Sequence, residues 1–472
     1  MRYVTLLSVL ALMFCAALLL GLNACSGGST SSVTTVPPPP PPPPSKIQHI
    51  VIIFQENRTP DNLFQDPVLI SRGADIVNVG ENSLGQQIAL TPLDLGNAGS
   101  APDNYDPGHS HAGFLKMYDN GKMDGADLIS ISCAPAAVNC PPAGSPQFKY
   151  VMPSDVQPYF QLAEQYTFGD RMFQTNQGPS FPAHQFIISG TSAPTATSTL
   201  FAAENTNLGA GCTATPAAWV WMIDASGAES SKMYPCFEHP TLTDLLDSAG
   251  KSWKYYTPTN AGIWVGPNAI QHICAPANSV CSGPDWVNNV VLNNTQVLTD
   301  ISSGQLPAVS WVIPTGQASD HPGNNNGTGP SWVASIVNAI GGSSYWSNTA
   351  VIITWDDWGG WYDHVPPPKV IEDRTSWGSG YVYGFRVPLI IVSPYVKAGY
   401  VSHVTHDFGS ILKFIEQIFS LPSLGYADAA ADDLSDCFNF SQTPLQFHSI
   451  AAPLSAEHFL NDHTPPLDPD DD

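Results

Sequence analysis

The sequence predicts an α/β fold: a three-layer sandwich with a mostly parallel central sheet and long loop insertions. Three observations predict it. Four short apolar runs rich in Ile and Val stand far apart in the chain, as strands buried on both faces do. Stretches with helical periodicity and helix-ending glycines lie between them. The chain has 472 residues, 43% of them hydrophobic, which suffices for a large core. Strands alternating with helices imply a parallel sheet covered on both faces.

The strands are expected at 47–54 (IQHIVIIF), 307–313 (PAVSWVI), 350–355 (AVIITW) and 387–392 (VPLIIV), with a short fifth at 254–256. All four long runs read as parallel. Helices are expected at 241–249, opened by Thr241 and closed by Gly250, at 331–340, closed by Gly341 and Gly342, and at 408–419. The last places Ile411, Leu412, Ile415 and Phe419 on one side. From 80 to 235 Gly, Pro, Ala, Ser and Thr dominate and periodicity is weak, which reads as insertions shaping a pocket over the sheet.

The first 24 residues read as a signal peptide: Arg2, an almost wholly apolar stretch over 5–22, then Leu22-Asn23-Ala24-Cys25. A Cys directly after a small residue resembles a bacterial lipobox, in which Cys25 would carry the lipid. The alternative is an uncleaved membrane anchor; either exports the rest of the chain. Residues 25–45 are then the lipidated Cys and a linker whose eight prolines, Pro37 to Pro44, extend about 25 Å as polyproline II. The catalytic domain would span 46–462, and 463–472 read as a disordered acidic tail. The expected location is a membrane-anchored lipoprotein, periplasmic or on the cell surface. Cys133 with Cys140, Cys274 with Cys281, and Cys212 with Cys236 are spaced to close loops, leaving Cys437 spare.

Net charge is −24, from 16 Lys and Arg against 40 Asp and Glu. Such a surface repels nucleic acid and anionic bilayers. An acidic protein that handles an anionic substrate needs a local reversal of sign, which a bound cation supplies.

Ligands of open α/β sheets bind beyond the carboxyl ends of the strands. There the sequence places Glu56, Asn57 and Arg58, then Asp320 and His321, then Asp356 and Asp357, then His403, His406 and Asp407. Adjacent carboxylates either share a proton or bind a cation, and oxygen donors from a second strand favour one hard divalent ion of the Ca²⁺, Mg²⁺ or Mn²⁺ type. Gln177-Gly178-Pro179-Ser180-Phe181-Pro182-Ala183-His184 reads as a stiff turn that could aim a hydroxyl, although pattern alone favours an ordinary polar turn.

Several motifs in order carry a resemblance over most of 47–425: IQHIVIIFQENRTPDNLF at 47–64, DPGH at 106–109, GKMDGA at 121–126, GPSFPAH at 178–184, SDHP at 319–322, TWDDWGGWYDHVPPP at 354–368 and SHVTHDFGSILKFIE at 402–416. The chain resembles the bacterial phosphoesterase family of non-specific phospholipases C and acid phosphatases, which has an alkaline-phosphatase-like core. The resemblance implies a metal held by Glu56, Asn57, Asp356 and Asp357, with Ser180 as nucleophile and a phosphoserine intermediate. His109 and His321 would hold phosphoryl oxygens or move protons, with His184, then His364 and His403, as further candidates. The chain departs from the phospholipase pattern at Thr59-Pro60-Asp61-Asn62, at Trp355-Asp356-Asp357 and at the Ser180 turn; the last two favour the acid phosphatase branch.

The expected substrate is a small phosphate monoester or a phospholipid head group. The alternatives are a phospholipase C acting on phosphatidylcholine-type lipids and a catalytically inactive surface-binding lipoprotein. A lipid substrate would require an exposed apolar rim, for which Phe181, Trp358, Trp361, Tyr362 and Trp377 are candidates.

Overall fold

Ile50 to Phe54 carry no exposed surface, because parallel neighbours flank them in the sheet. The computed structural model describes residues 45–95, 105–133, 140, 144–224, 226–323, 327–369 and 383–464. The expected signal peptide, Cys25, the proline linker, Trp377 and residues 465–472 of the tail lie outside these.

The central sheet has nine strands: β1 His49–Gln55, β2 Thr167–Phe173, β3 Trp253–Tyr256, β4 Val290–Val291, β5 Val309–Val312, β6 Thr349–Trp355, β7 Arg386–Val392, β8 Tyr400–Ser402 and β9 His406–Asp407. The order is β4-β3-β5-β1-β6-β7-β2-β8, with β9 also pairing with β2. In register, Ile52 of β1 faces Trp311 on one side and Ile352 on the other. The fold class is therefore the expected α/β sandwich on a mostly parallel sheet.

One strand direction differs from the sequence reading. β7 runs antiparallel to both β6 and β2. A continuous apolar run reports burial on two faces and carries no sign of direction. The carboxyl end of β7 thus points away from the ends of β1, β5 and β6, and Arg386, at its start, reaches their edge instead.

The stretch from 80 to 235 is more than insertion. It supplies β2 and two buried helices, α1 Gln157–Gln165 and α2 Ser180–Ser189. It also builds a small apolar cluster of its own, with Phe114, Met117 and Phe148 packed on Trp358 and Phe385. The three helices expected from periodicity are present: α3 Leu242–Ser248, capped by Thr241 and Asp244; α4 Gly329–Gly341; and α5 Phe408–Phe419, capped by Asp407 and Ser410. The three expected disulfides are present, and Cys437 is free and buried.

Candidate active site

The end of β1 turns sharply: Asn57 adopts a left-handed φ of 62°. Gly359, after β6, packs on this turn, and a Cβ there would stand 2.3 Å from the Asn57 carbonyl oxygen. Close approach of the two backbones, possible only with glycine, brings the two strand ends together. The Asn57 amide donates to Asp356 Oδ1 at 3.2 Å, and the Asp357 amide donates to the same oxygen at 2.7 Å.

Ser180 sits behind them as the first residue of α2, with no exposed surface. The expected turn is thus a helix start, and Pro182 is tolerated there because first-turn amides have no partner within the helix. Ser180 Oγ donates to Asp357 Oδ2 at 3.2 Å, and the Gly359 amide fixes the other oxygen at 2.8 Å. One turn along α2, His184 points its Nε2 at Glu56 Oε1, 3.4 Å away, and Asp356 Oδ2, 3.8 Å away. Its Nδ1 lies 3.3 Å from the Tyr255 hydroxyl, which itself donates to the Trp264 carbonyl. Nδ1 is therefore the donor, and the Nε2 lone pair faces the two carboxylates.

Lone pair against carboxylate is repulsive unless a cation lies between. Burial lowers the His184 imidazole to about 4, so a ring proton is not that cation. Glu56 Oε1 and Oε2, Asn57 Oδ1, Asp356 Oδ2 and His184 Nε2 are all buried without a hydrogen-bond partner. Unpaired buried polar atoms are costly, and five of them, on the adjacent Glu56 and Asn57, on Asp356 and on one imidazole, form a candidate ligand set for a cation. Ligand atoms of Glu56, His184 and Asp356 lie within 4.8 Å of one another. Burial and then the neighbouring Asp356 push Glu56 well above the usual carboxylate range, and the same two causes push Asp357 up to about 8.

His109 lies over this floor. Asn57 Nδ2 donates to its Nε2 at 3.0 Å, its Nδ1 faces the Pro107 carbonyl at 3.1 Å, and Asp357 Oδ2 is 3.9 Å away. His321 stacks edgewise on His109 with ring centroids 5.8 Å apart, its Nδ1 held by the Pro322 carbonyl at 2.8 Å.

The structure thus gathers Glu56, Asn57, Asp356, Asp357, Ser180, His109, His184 and His321. It leaves out His364 and His403. His364 lies between Asp61, at 2.7 Å, and Asp75, at 3.0 Å. His403 pairs with Asp170 at 2.8 Å and is half exposed. His403 was inferred from a strand end, an inference the reversed β7 breaks, whereas His364 came only from the family resemblance. Asp320 turns away as well: Tyr159 and Trp355 donate to its Oδ2 at 2.9 and 3.0 Å. Sequence reasoning underweighted His184 as a ligand; its place four residues after Ser180, one helical turn, was the available signal.

The model of the family described as "Phosphoesterase family" matches residues 47–422. Phospholipase C B of Mycobacterium tuberculosis (strain ATCC 25618 / H37Rv) is 25% identical over 453 residues, covering 84% of this chain and 78% of that protein. Hemolytic phospholipase C of Pseudomonas aeruginosa is 25% identical over 442 residues, covering 84% of this chain and 56% of that protein. A solved protein of the alkaline phosphatase superfamily from Vibrio parahaemolyticus is similar at a TM-score of 0.34 and 10% identity, over 83% of this chain and 73% of that one. With a matched span that runs from β1 to beyond α5 and encloses every residue of the site, the chain belongs to the Phosphoesterase family, hydrolases of phosphate ester bonds.

Proposed function

We propose that the chain hydrolyses small phosphate monoesters through a phosphoserine formed on Ser180. The observation that carries this is the Ser180 hydroxyl bonded to Asp357 beside five unpaired buried ligand atoms. Those atoms fit a divalent cation, and Glu56, His184 and Asp356, with Asn57, would hold it. When bound it supplies positive charge that offsets the phosphoryl group and lowers the pKa of a nearby hydroxyl. An imidazole among the donors shifts the expected ion from the Ca²⁺ or Mg²⁺ type toward Mn²⁺ or another transition ion.

The chain's own groups account for the rest. Ser180 Oγ attacks phosphorus in line, and its proton passes to Asp357 Oδ2 along the existing hydrogen bond. The start of α2 presents helix-dipole charge to the phosphoryl oxygens at that point. His109 and His321 pack edge to face beside this floor, where a protonated imidazole donates to the departing alkoxide as the P–O bond breaks. Water then attacks the phosphoserine, giving its proton to the imidazole left neutral, while Asp357 returns its proton to the departing Ser180 Oγ and phosphate is released.

A monoester is favoured over a lipid by the fate of the expected apolar rim. Phe181, Trp358, Trp361 and Tyr362 are all core residues, none more than 4% exposed. The deciding assay compares p-nitrophenyl phosphate with p-nitrophenyl phosphorylcholine. Faster turnover of the first, with label trapped on Ser180 after acid quench, is the expected result. Preference for the second would replace this reading with the phospholipase one. Export with a lipid on Cys25 is part of the proposal, supported by three disulfides in the folded domain. Labelled fatty acid that is incorporated by the native chain and equally by a Cys25→Ala chain would refute it.

A further inference from the structure

Two further buried groups bring a histidine against carboxylates. Asp61, Asp363 and His364 already enclose a positive charge, since Arg386 Nε and Nη2 donate to Asp363 at 2.9 and 3.0 Å. The other group, at the far edge of the sheet, has no Lys or Arg paired with its carboxylates among the described residues. There His406 and Cys437 have no exposed surface, and Asp436 is about 20% exposed at its side chain. Ligand atoms of the three lie within 4.8 Å of one another. His406 Nε2 is 3.6 Å from Asp436 Oδ1, and Cys437 Sγ is 3.4 Å from that same oxygen.

On the opposite side of the ring, His406 Nδ1 stands 2.9 Å from Asp432 Oδ1. On the facing side, Nε2 also lies 3.2 Å from Ser402 Oγ, which itself donates to Asp436 Oδ2, and a cation would take the place of that contact. An imidazole with a carboxylate behind one nitrogen, and a thiol and carboxylate before the other, is how proteins orient a metal-binding histidine. Bonds of about 2.0–2.3 Å place tetrahedral ligands about 3.3–3.8 Å apart, so a contraction below about 1 Å closes the group. Among the described residues, neither Asp432 nor Asp436 forms an ion pair with Lys or Arg.

We propose that His406, Asp436 and Cys437 bind a second cation, of the Zn²⁺ type, with Asp432 orienting His406. Sulfur, nitrogen and oxygen donors together select a borderline ion over Ca²⁺ or Mg²⁺. Ligation by Cys437 as a thiolate displaces its proton to solvent. The partly exposed Asp432 and Asp436 give the ion a way in. The site would fasten the segment 432–437 to β8 and β9, which flank β2, the strand that leads into Ser180.

The test uses the full chain loaded with Co²⁺, whose thiolate ligation gives a near-ultraviolet charge-transfer band. The Ser180 site contains no sulfur, so its own cation gives none. Expected are the band in the native chain, its retention in C25S, and its loss in C437S with one fewer metal equivalent and unchanged phosphatase turnover. No band in the native chain, or a band that survives C437S, overturns the proposal. Should C437S fail to fold, X-ray absorption of the zinc-loaded native chain decides: a sulfur neighbour at about 2.3 Å supports the site, and a shell of only nitrogen and oxygen refutes it.

Discussion

Two buried clusters, both reached from the segment after β1, use the same residue types and do opposite things. In one, Asp61, Asp363 and Asp75 meet His364 and Arg386. The guanidinium donates to Asp363 twice, to the Asp75 and Asp170 carbonyls at 2.8 and 2.9 Å, and lies 3.4 Å from Asp61. In the other, Glu56, Asp356 and Asp357 meet a neutral His184, and no Lys or Arg makes an ion pair with them among the described residues. With Arg171 on Asp75 at 2.7 Å, the first balances its charge internally and is a structural clamp. The second is left negative, which costs stability and creates affinity for an external cation. Buried carboxylates mark a reactive site where their counter-charge is missing.

The widest gap between the clusters should appear in turnover. Ser180→Ala should lower kcat by at least about 10³-fold and abolish the trapped phosphoenzyme, while replacements in the Arg386 cluster leave an intermediate that can still be trapped. Next comes stability, and here the sign is the test. Arg386→Met strands buried Asp363 and should cost about 3–5 kcal/mol in urea unfolding. Glu56→Gln should leave the stability of the metal-free protein equal or higher, while the metal-loaded variant loses activity. Equal destabilisation by both would erase the comparison.

A smaller effect concerns pH. Burial alone would lower the His364 imidazole, but hydrogen bonding to Asp61 and its charge prevail and raise it to about 9. A group raised above its unfolded value, about 6.5, contributes stability that is complete below that pH and lost as pH climbs through about 9. Native protein should therefore lose on the order of 1–3 kcal/mol across this window, and His364→Gln should flatten that part of the curve. The smallest expected effect lies at the link between the clusters. Thr59 Oγ1 donates to the Tyr362 carbonyl and caps Asn62. Thr59→Ala should cost about 1 kcal/mol, read as a fall in the unfolding midpoint with turnover retained.

Much of the site was legible because motifs follow strands. Glu56, Asn57, Asp356 and Asp357 directly follow apolar runs, and a strand's end is where a sheet exposes polar groups. β2 was missed because Asp170 and Arg171 interrupt its apolar pattern; Asp170 is buried there and serves His403. The Ser180 helix was read as a turn because Gly178, Pro179 and Pro182 are turn residues that also suit a helix start.

The sequence by itself determined four of the buried strands, three of the helices, cysteine spacings able to close loops and the identities of the chemical groups. These follow from local periodicity, capping and spacing. Tertiary structure alone decided the direction of β7, the exclusion of His364 and His403, the hydrogen bond from Ser180 to Asp357 and the turn of His184 toward Glu56. Each of these depends on contacts between residues far apart in the chain, and side-chain identity does not encode which distant partner will neutralise a buried charge.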